Sequence, residues 1–175
     1  MKRTNKSVRG FTVIELLIVI AIIVTATLVI VNRVGAARQS SQVQSESGNM
    51  QAIVATSQSS FAGRADYAGL TNNYLVAQGG FPGNMMNAGV PKNSWGGDVT
   101  VLGAGNVATI TYTAVPNKVC IELVNNISPS FKTVKVRGAT VKDASSADAA
   151  IQSTNNLATT VTNCGTTPAT VEVTF

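Results

Sequence analysis

A single carboxylate, Glu15, lies within a run of mostly apolar residues, FTVIELLIVIAIIVTATLVIV, which covers positions 11–31. Placing a carboxylate in hydrocarbon costs about 2.5 to 3.5 kcal/mol on insertion scales, so such a group needs a cationic partner. The alternative is a side chain near a helix end that reaches back to the membrane interface. The position of Glu15 therefore indicates ion pairing or interfacial anchoring.

Side chains that could carry out catalysis are scarce in this chain. It has no histidine, which removes the commonest general acid or base and a common metal ligand. The carboxylates are scattered, and their spacing forms no paired-acid site or metal cage. We therefore expect a protein that is not an enzyme, with no catalytic residue, no metal and no cofactor.

The two cysteines, Cys120 and Cys164, both lie in the C-terminal half of the chain. Their spacing fits no zinc pattern. An even number of cysteines in an exported chain predicts one disulfide bond.

Two further patterns suggest ligands. GAGNVA (residues 103–108) fits G-x-G-x-x-A, but a strand-like alternation follows it where a dinucleotide fold needs a helix, so we favour a turn. Lys132, Lys135, Arg137 and Lys142 form a basic run that could meet DNA or an acidic partner. We favour a solvated or edge-guarding strand face. Direct binding of nucleic acid is therefore not expected.

Three aromatic side chains, Tyr67, Tyr74 and Trp95, could dock a ligand. Their spacing and the glycines beside them favour a packing role instead. We expect them to seal a long helix against a sheet.

The composition is that of a chain with little charge. Its 175 residues are 45% hydrophobic and 12% charged, and such a surface suits packing against copies of itself. The formal net charge is +5, of which four lysines and arginines in residues 1–10 contribute +4, leaving +1 for the rest. This basic leader should stay cytoplasmic while the bulk of the chain is exported.

The apolar run at residues 11–31 is long enough to cross a bilayer core of about 30 Å as a helix. A cleaved signal peptide ending at Ala36 is the alternative, but the run exceeds the usual length of such a segment. An apolar stripe predicts that the helix continues to about residue 61, roughly 75 Å in all. A short second helix should follow, marked by Tyr67, Leu70, Tyr74 and Leu75 and closed by Gly79-Gly80. The stripe consists of Val43, Met50, Val54 and Phe61.

The rest of the chain predicts a sheet. Alternation from residue 98 predicts a β-hairpin around the turn GAGN, and a helix should run from Pro116 to Pro129. KTVKVRG and the terminal ATVEVTF predict further strands, with a mostly irregular, solvated loop over residues 139–163 that includes at most one helical turn. The predicted fold class is α+β. A long N-terminal helix, with a membrane-spanning first half and an amphipathic second half, packs on an antiparallel sheet with short helices and a C-terminal disulfide loop.

The segment RGFTVIELLIVIAIIV resembles the N-terminal region of type IV pilin precursors, because it joins a basic leader ending at Gly10 to an aromatic residue and a nearby glutamate. The resemblance implies that a prepilin peptidase cleaves between Gly10 and Phe11 and methylates the new amine. It also implies that Glu15 pairs with that amine in a neighbouring subunit. The expected domains are a cleaved leader (1–10), a transmembrane and filament-core helix half (11–34) and an exported head (35–175).

The short leader and Phe11 are similar to class a pilins, whereas VPNKVCIELVNNISPSFKTVKV resembles class b. The resemblance implies a major pilin, a homo-oligomeric filament subunit for adhesion, aggregation, motility or DNA transfer. It implies an inner-membrane precursor and then an extracellular pilus, with an assembly ATPase, a platform protein and a secretin as partners. A minor pilin, a type II secretion pseudopilin and a simple membrane-anchored periplasmic domain are the alternatives.

Overall fold

The first element of the chain is one long helix, α1, which runs from Val13 to Ser60. The structure is a computed structural model, and it describes residues 12–152, 154–165 and 167–175. No proline interrupts this stretch, since the first proline is Pro82. The predicted long helix is confirmed over the described residues. The chain divides into two compact units within α1, between Arg38 and Gln39.

In the N-terminal unit, the large hydrophobic side chains of α1 between Val13 and Leu28 are exposed. The hydroxyls of Thr25 and Thr27 donate to carbonyls of the preceding turn, with 2.7 Å from Thr27 Oγ1 to the oxygen of Ile23. Neither threonine therefore adds an unpaired polar group to this apolar segment. Within the described residues, no helix combines the length and the apolar character that crossing a membrane requires.

The head unit continues from α1 through short helices and strands. The helices are α2 (Asn72–Ala77), α3 (Asn117–Ile127), α4 (Ala149–Gln152) and α5 (Leu157–Cys164). The strands are β1 (Met86–Asn87), β2 (Val90–Pro91), β3 (Val99–Ala104), β4 (Val107–Val115), β5 (Thr133–Val136), β6 (Ala139–Asp143) and β7 (Ala169–Thr174). β1 and β2 form a small ribbon, and the other five strands form one antiparallel sheet in the order β3-β4-β7-β5-β6.

One hydrophobic core collects side chains from the sheet, from α3 and from the second half of α1. The strands alternate as predicted, so that β7 buries Val171 and Val173. The helix predicted between Pro116 and Pro129 is α3, and its buried face consists of Val119, Cys120, Leu123, Val124 and Ile127. The α1 stripe differs at one position, because Ile53 is fully buried while Val54 is only partly buried.

The predicted β3-β4 hairpin is confirmed, and the GAGNVA pattern forms its turn. Ala104 pairs with Val107 across the turn, and Gly105 has a positive φ of 56°. Gly103 is required for a different reason, since a Cβ there would lie 2.0 Å from the carbonyl oxygen of Tyr67. A strand follows this pattern, as expected for a turn and not for a dinucleotide site.

The outer edge of β3 is covered by the side chain of Asn72. Its Nδ2 donates to the carbonyl of Val99 at 2.9 Å, and its Oδ1 accepts from the N–H of Val101 at 2.5 Å. Asn72 begins α2, which starts later than predicted because Thr71 caps it by accepting from the N–H of Tyr74. The start of α2 thus closes a sheet edge.

The prediction of an irregular loop over residues 139–163 is wrong. The segment contains β6, α4 and α5. The turn Arg137-Gly138, with positive φ at both residues, returns the chain into β6, and Asn156 caps α5 by accepting from the N–H of Thr159. Threonines fill much of α5, so its apolar periodicity is too weak to identify it as a helix from hydrophobicity alone.

Candidate assembly and processing site

Glu15 lies in the first turn of α1, and its side chain is exposed. The helix begins just after Thr12, whose Oγ1 accepts from the N–H of Glu15 at 3.3 Å. A carboxylate at this end of a helix is favoured by the helix dipole. Gly10 and Phe11 lie outside the described residues, so the processing point and the pairing of Glu15 stay predictions.

A second carboxylate, Glu46, is buried in the head with 1% of its surface exposed. It lies on the inward face of α1, where its Oε1 accepts from the N–H of Ser94 at 2.7 Å and from the hydroxyl of the same residue. Among the described side chains the ion pair joins Lys92 to Asp98 at the surface, so no cation there pairs with Glu46. Glu46 therefore fastens a loop to α1 through hydrogen bonds alone.

The loop that Glu46 holds is built around Asn93, which is buried. Asn93 Oδ1 accepts from the N–H groups of Trp95 and Gly97, and its Nδ2 donates to the carbonyl of Thr113 on β4. Gly97 is required here, because a Cβ would lie 1.9 Å from the carbonyl oxygen of Thr113. The loop is thus fixed to β4 on one side and to α1 on the other.

Burial raises the pKa of the Tyr112 hydroxyl well above its ordinary value of 10.0, and the negative charge of Glu46 raises it further. Tyr112 is fully buried on β4. The phenol therefore stays neutral beside the carboxylate.

The sequence analysis did not identify Glu46 as a functional residue. Its spacing could have done so, because Glu46 lies three residues after Val43 and four before Met50 and therefore on the apolar face of the predicted helix. A carboxylate on such a stripe is either buried with donors or marks a break in the face. Here Ser94, far away in sequence, supplies the donors.

The predicted disulfide joins Cys120 to Cys164, with 5.7 Å between their Cα atoms. Both sulfurs are buried. The bond ties the end of α5 to the first turn of α3, so it fixes α5 against the head.

The basic run does not form one face. Lys142 is buried, and its Nζ donates to the carbonyls of Ser128 and Phe131 at the end of α3. Burial lowers the pKa of Lys142. Arg137 Nη2 donates to the carbonyls of Thr167 and Pro168. Two members of the run therefore have structural partners, which removes the continuous cationic surface that a polyanion needs.

The three aromatic side chains occupy the sealing role predicted for them. Tyr67, Tyr74 and Trp95 are partly buried against the core. The ring of Phe61, at the end of α1, lies 5.7 Å from that of Tyr67 and 5.4 Å from that of Tyr74. Tyr67 and Tyr74 therefore close the head around the end of α1.

Comparison with known families covers both parts of the chain. The family described as PilS N terminal matches residues 40–175, and the prokaryotic N-terminal methylation motif matches residues 5–31. The chain belongs to the PilS family. It is a type IV pilin precursor, and as a pilin it is a structural protein and not an enzyme.

Solved pilin structures share the fold of this pilin. The type IVb pilin of Salmonella typhi superposes with a TM-score of 0.56 at 19% identity, over 74% of this chain and 97% of that one. TcpA, the type IV pilin of the Vibrio cholerae El Tor biotype, superposes with a TM-score of 0.59 at 16% identity, over 77% and 99%. A search of curated proteins finds no match.

Proposed function

We propose that this pilin polymerises through its N-terminal helix into a homo-oligomeric surface filament. The observation that carries the proposal is the exposure of the large apolar side chains of α1 from Val13 to Leu28, interrupted only by the charge of Glu15. Apolar surface of this extent needs a cover, and lipid before assembly and neighbouring helices after it would each supply one. Under this proposal the precursor resides in the inner membrane and the product is an extracellular pilus.

Processing completes the assembly surface. A prepilin peptidase cuts between Gly10 and Phe11, and the new amine supplies the cation that Glu15 requires. Membership of the type IV pilins implies that Glu15 pairs with the amine of a neighbouring copy. The pair sets the register between subunits.

The family implies an assembly ATPase, a platform protein and a secretin as partners. Adhesion, aggregation, motility and DNA transfer all fit such a filament. No feature of the described residues of the head selects among them.

Two hypotheses can be tested together: that the chain polymerises, and that Glu15 sets the register between subunits. The experiment compares the wild type with the substitution of Glu15 by valine. The wild-type strain should yield sheared fibres that consist mainly of this chain and begin at Phe11 by intact mass. Glu15→Val should be cleaved and inserted normally, yet fibres should be rare, since an unpaired buried ion typically costs about 3 to 5 kcal/mol. Glu15→Asp, which keeps the charge, is the matched control and should retain some piliation.

Each result has a separate meaning. Abundant fibres of processed Glu15→Val protein would refute the ion pair that sets the register, but the proposal that the chain polymerises would stand. A mature chain that begins at Ala37 would instead support the alternative of a cleaved signal peptide ending at Ala36. A chain that is absent from wild-type fibres, or present only in traces, would favour a membrane-anchored domain or a minor pilin.

A further inference from the structure

Strand β6 lies at one end of the strand order of the five-stranded sheet. A strand in this position presents backbone N–H and C=O groups that can pair with a strand of another chain. At the opposite end of the sheet, the side chain of Asn72 occupies such groups on β3. A different arrangement is found at β6.

The pairing of β6 with β5 contains a bulge. Pairs with β5 form on both sides of Val141, which has no partner there and is therefore the extra residue. A bulge interrupts the regular spacing of the backbone groups along a strand. Since β6 runs from Ala139 to Asp143, an incoming strand would find only two regularly spaced residues on either side of Val141.

The bulge also turns the side chain of Lys142 towards the core. Neighbouring residues of a regular strand face opposite sides of the sheet, yet Val141 and Lys142 are both buried. The Nζ of Lys142 donates to the carbonyl of Phe131 at 2.8 Å and to the carbonyl of Ser128. Carbonyls at the C-terminal end of a helix lack partners within it and attract a cation. Lys142 therefore anchors the bulge from the inside.

A backbone contact anchors the bulge as well. The N–H of Asn156, the residue that caps α5, donates to the carbonyl of Val141 at 2.7 Å. This bond occupies a carbonyl of the edge strand that an incoming strand could otherwise use. The bulge is thus held by the side chain of Lys142 and by the backbone of Asn156.

We propose that the bulge at Val141, anchored by Lys142, keeps β6 from pairing with the same edge of a second copy of this chain. Bulges and inward-pointing charged side chains are two devices by which edge strands avoid such pairing. Burying an ammonium group costs desolvation energy that its hydrogen bonds must offset, so Lys142 adds little net stability. Its role is to fix a strand geometry that a partner strand cannot match. This role does not depend on the filament function.

The test compares Lys142→Met with Lys135→Met in the full chain, solubilised in detergent. Both substitutions remove a lysine charge, but Lys135 lies on β5, one strand away from the edge. Sedimentation should show Lys135→Met in the same state as the wild type, whereas Lys142→Met should lose most of that species to larger oligomers. Lys142→Arg keeps the cation and should behave as the wild type does.

A second measurement locates the contact between copies. Amide hydrogen exchange in the Lys142→Met oligomers should become slower in residues 139–143 and stay unchanged in β3. A folded Lys142→Met variant that sediments as the wild type does, or slower exchange only outside β6, would overturn the proposal. Loss of the bond between Cys120 and Cys164 in Lys142→Met would overturn it too, because Lys142 would then serve the stability of the head and not its edge.

Discussion

At the scale of single residues, the head places a carboxylate where side chains are almost all apolar. Glu46 has hydrogen-bond donors from Ser94 and no cation among the described side chains. A buried charge held only by hydrogen bonds costs desolvation energy, but removing it leaves its donors unpaired. The residue therefore matters more for fixing the 93–98 loop on α1 than for net stability.

This balance predicts different outcomes for two substitutions at Glu46. Glu46→Gln keeps an oxygen that can accept from Ser94 and removes the charge, so the free energy of unfolding should change little. Glu46→Ala leaves the Ser94 donors unpaired and should lower it by about 1 to 3 kcal/mol. Urea unfolding of the purified pilin, followed by fluorescence of Trp95, the single tryptophan, measures both.

The Glu46→Gln variant also allows a prediction about how stability depends on pH. Tyr112 has a raised pKa in the folded head, so its contribution to stability is present below pH 10.0 and is lost as the pH rises above that value. Glu46→Gln should lower the pKa of Tyr112 and soften this alkaline loss, because one of its causes is removed. Burial remains, so the pKa should stay above 10.0. An unchanged alkaline profile would show that the charge of Glu46 does not reach the phenol.

At the scale of elements, α5 depends on a covalent bond more than on its own sequence. Four of its eight residues, from Leu157 to Cys164, are threonine or asparagine, which are weak helix formers. What holds the helix is the Asn156 cap, the buried side chain of Thr160 and the disulfide to α3. The helix is therefore an element whose existence depends on distant contacts.

Loss of the disulfide should loosen α5 specifically. Cys120 and Cys164 are separated by 44 residues, and closing such a loop contributes on the order of 4 kcal/mol in the chain-entropy model. Cys164→Ser should lower pilin level and fibre yield, with faster proteolysis in residues 144–165 than elsewhere. Cys120→Ser should behave in the same way, and a difference between the two variants would point to a role of one thiol apart from the bond.

The parts that could be predicted from the sequence are those with strong local patterns. The first helix, the β3-β4 hairpin, α3 and strands β5 and β7 follow from periodicity and turn residues, and Cys120 and Cys164 pair as their count indicates. α5 was not predicted because its threonine-rich sequence shows no clear period, and β6 was not predicted because the adjacent residues Val141 and Lys142 are both buried, which breaks the alternation of a strand. The role of Glu46 was not predicted because its hydrogen-bond donors come from Ser94, 48 residues away. Periodicity reports local structure and carries no information on which distant groups meet.

At the scale of the whole molecule, the two units differ in whether their apolar side chains are buried. Every side chain of the hydrophobic core lies in residues 43–173, within the head. In the described part of the N-terminal unit, the large apolar side chains from Val13 to Leu28 are exposed and lie outside that core. Folding of the head and covering of the N-terminal helix are thus separate events.

A head fragment, residues 39–175, should consequently fold alone once exported to an oxidising compartment. Its free energy of unfolding should match that of the full chain in detergent within about 1 kcal/mol, because no core contact is lost, and it should not form fibres. Chemical unfolding and sedimentation of the fragment measure the two properties. A fragment that unfolds or aggregates would show that residues before 39 contribute to the folded head.

The side chain of Asn72, which covers the outer edge of β3, bears on how this pilin avoids aggregation. Its amide uses the N–H of Val101 and the carbonyl of Val99, the groups that an incoming strand would need. Crowded copies therefore cannot extend the sheet at this edge into a cross-β fibril, which is close to irreversible once formed. At this edge, association between heads is left to side chains, and contacts of that kind can be undone without unfolding the subunit.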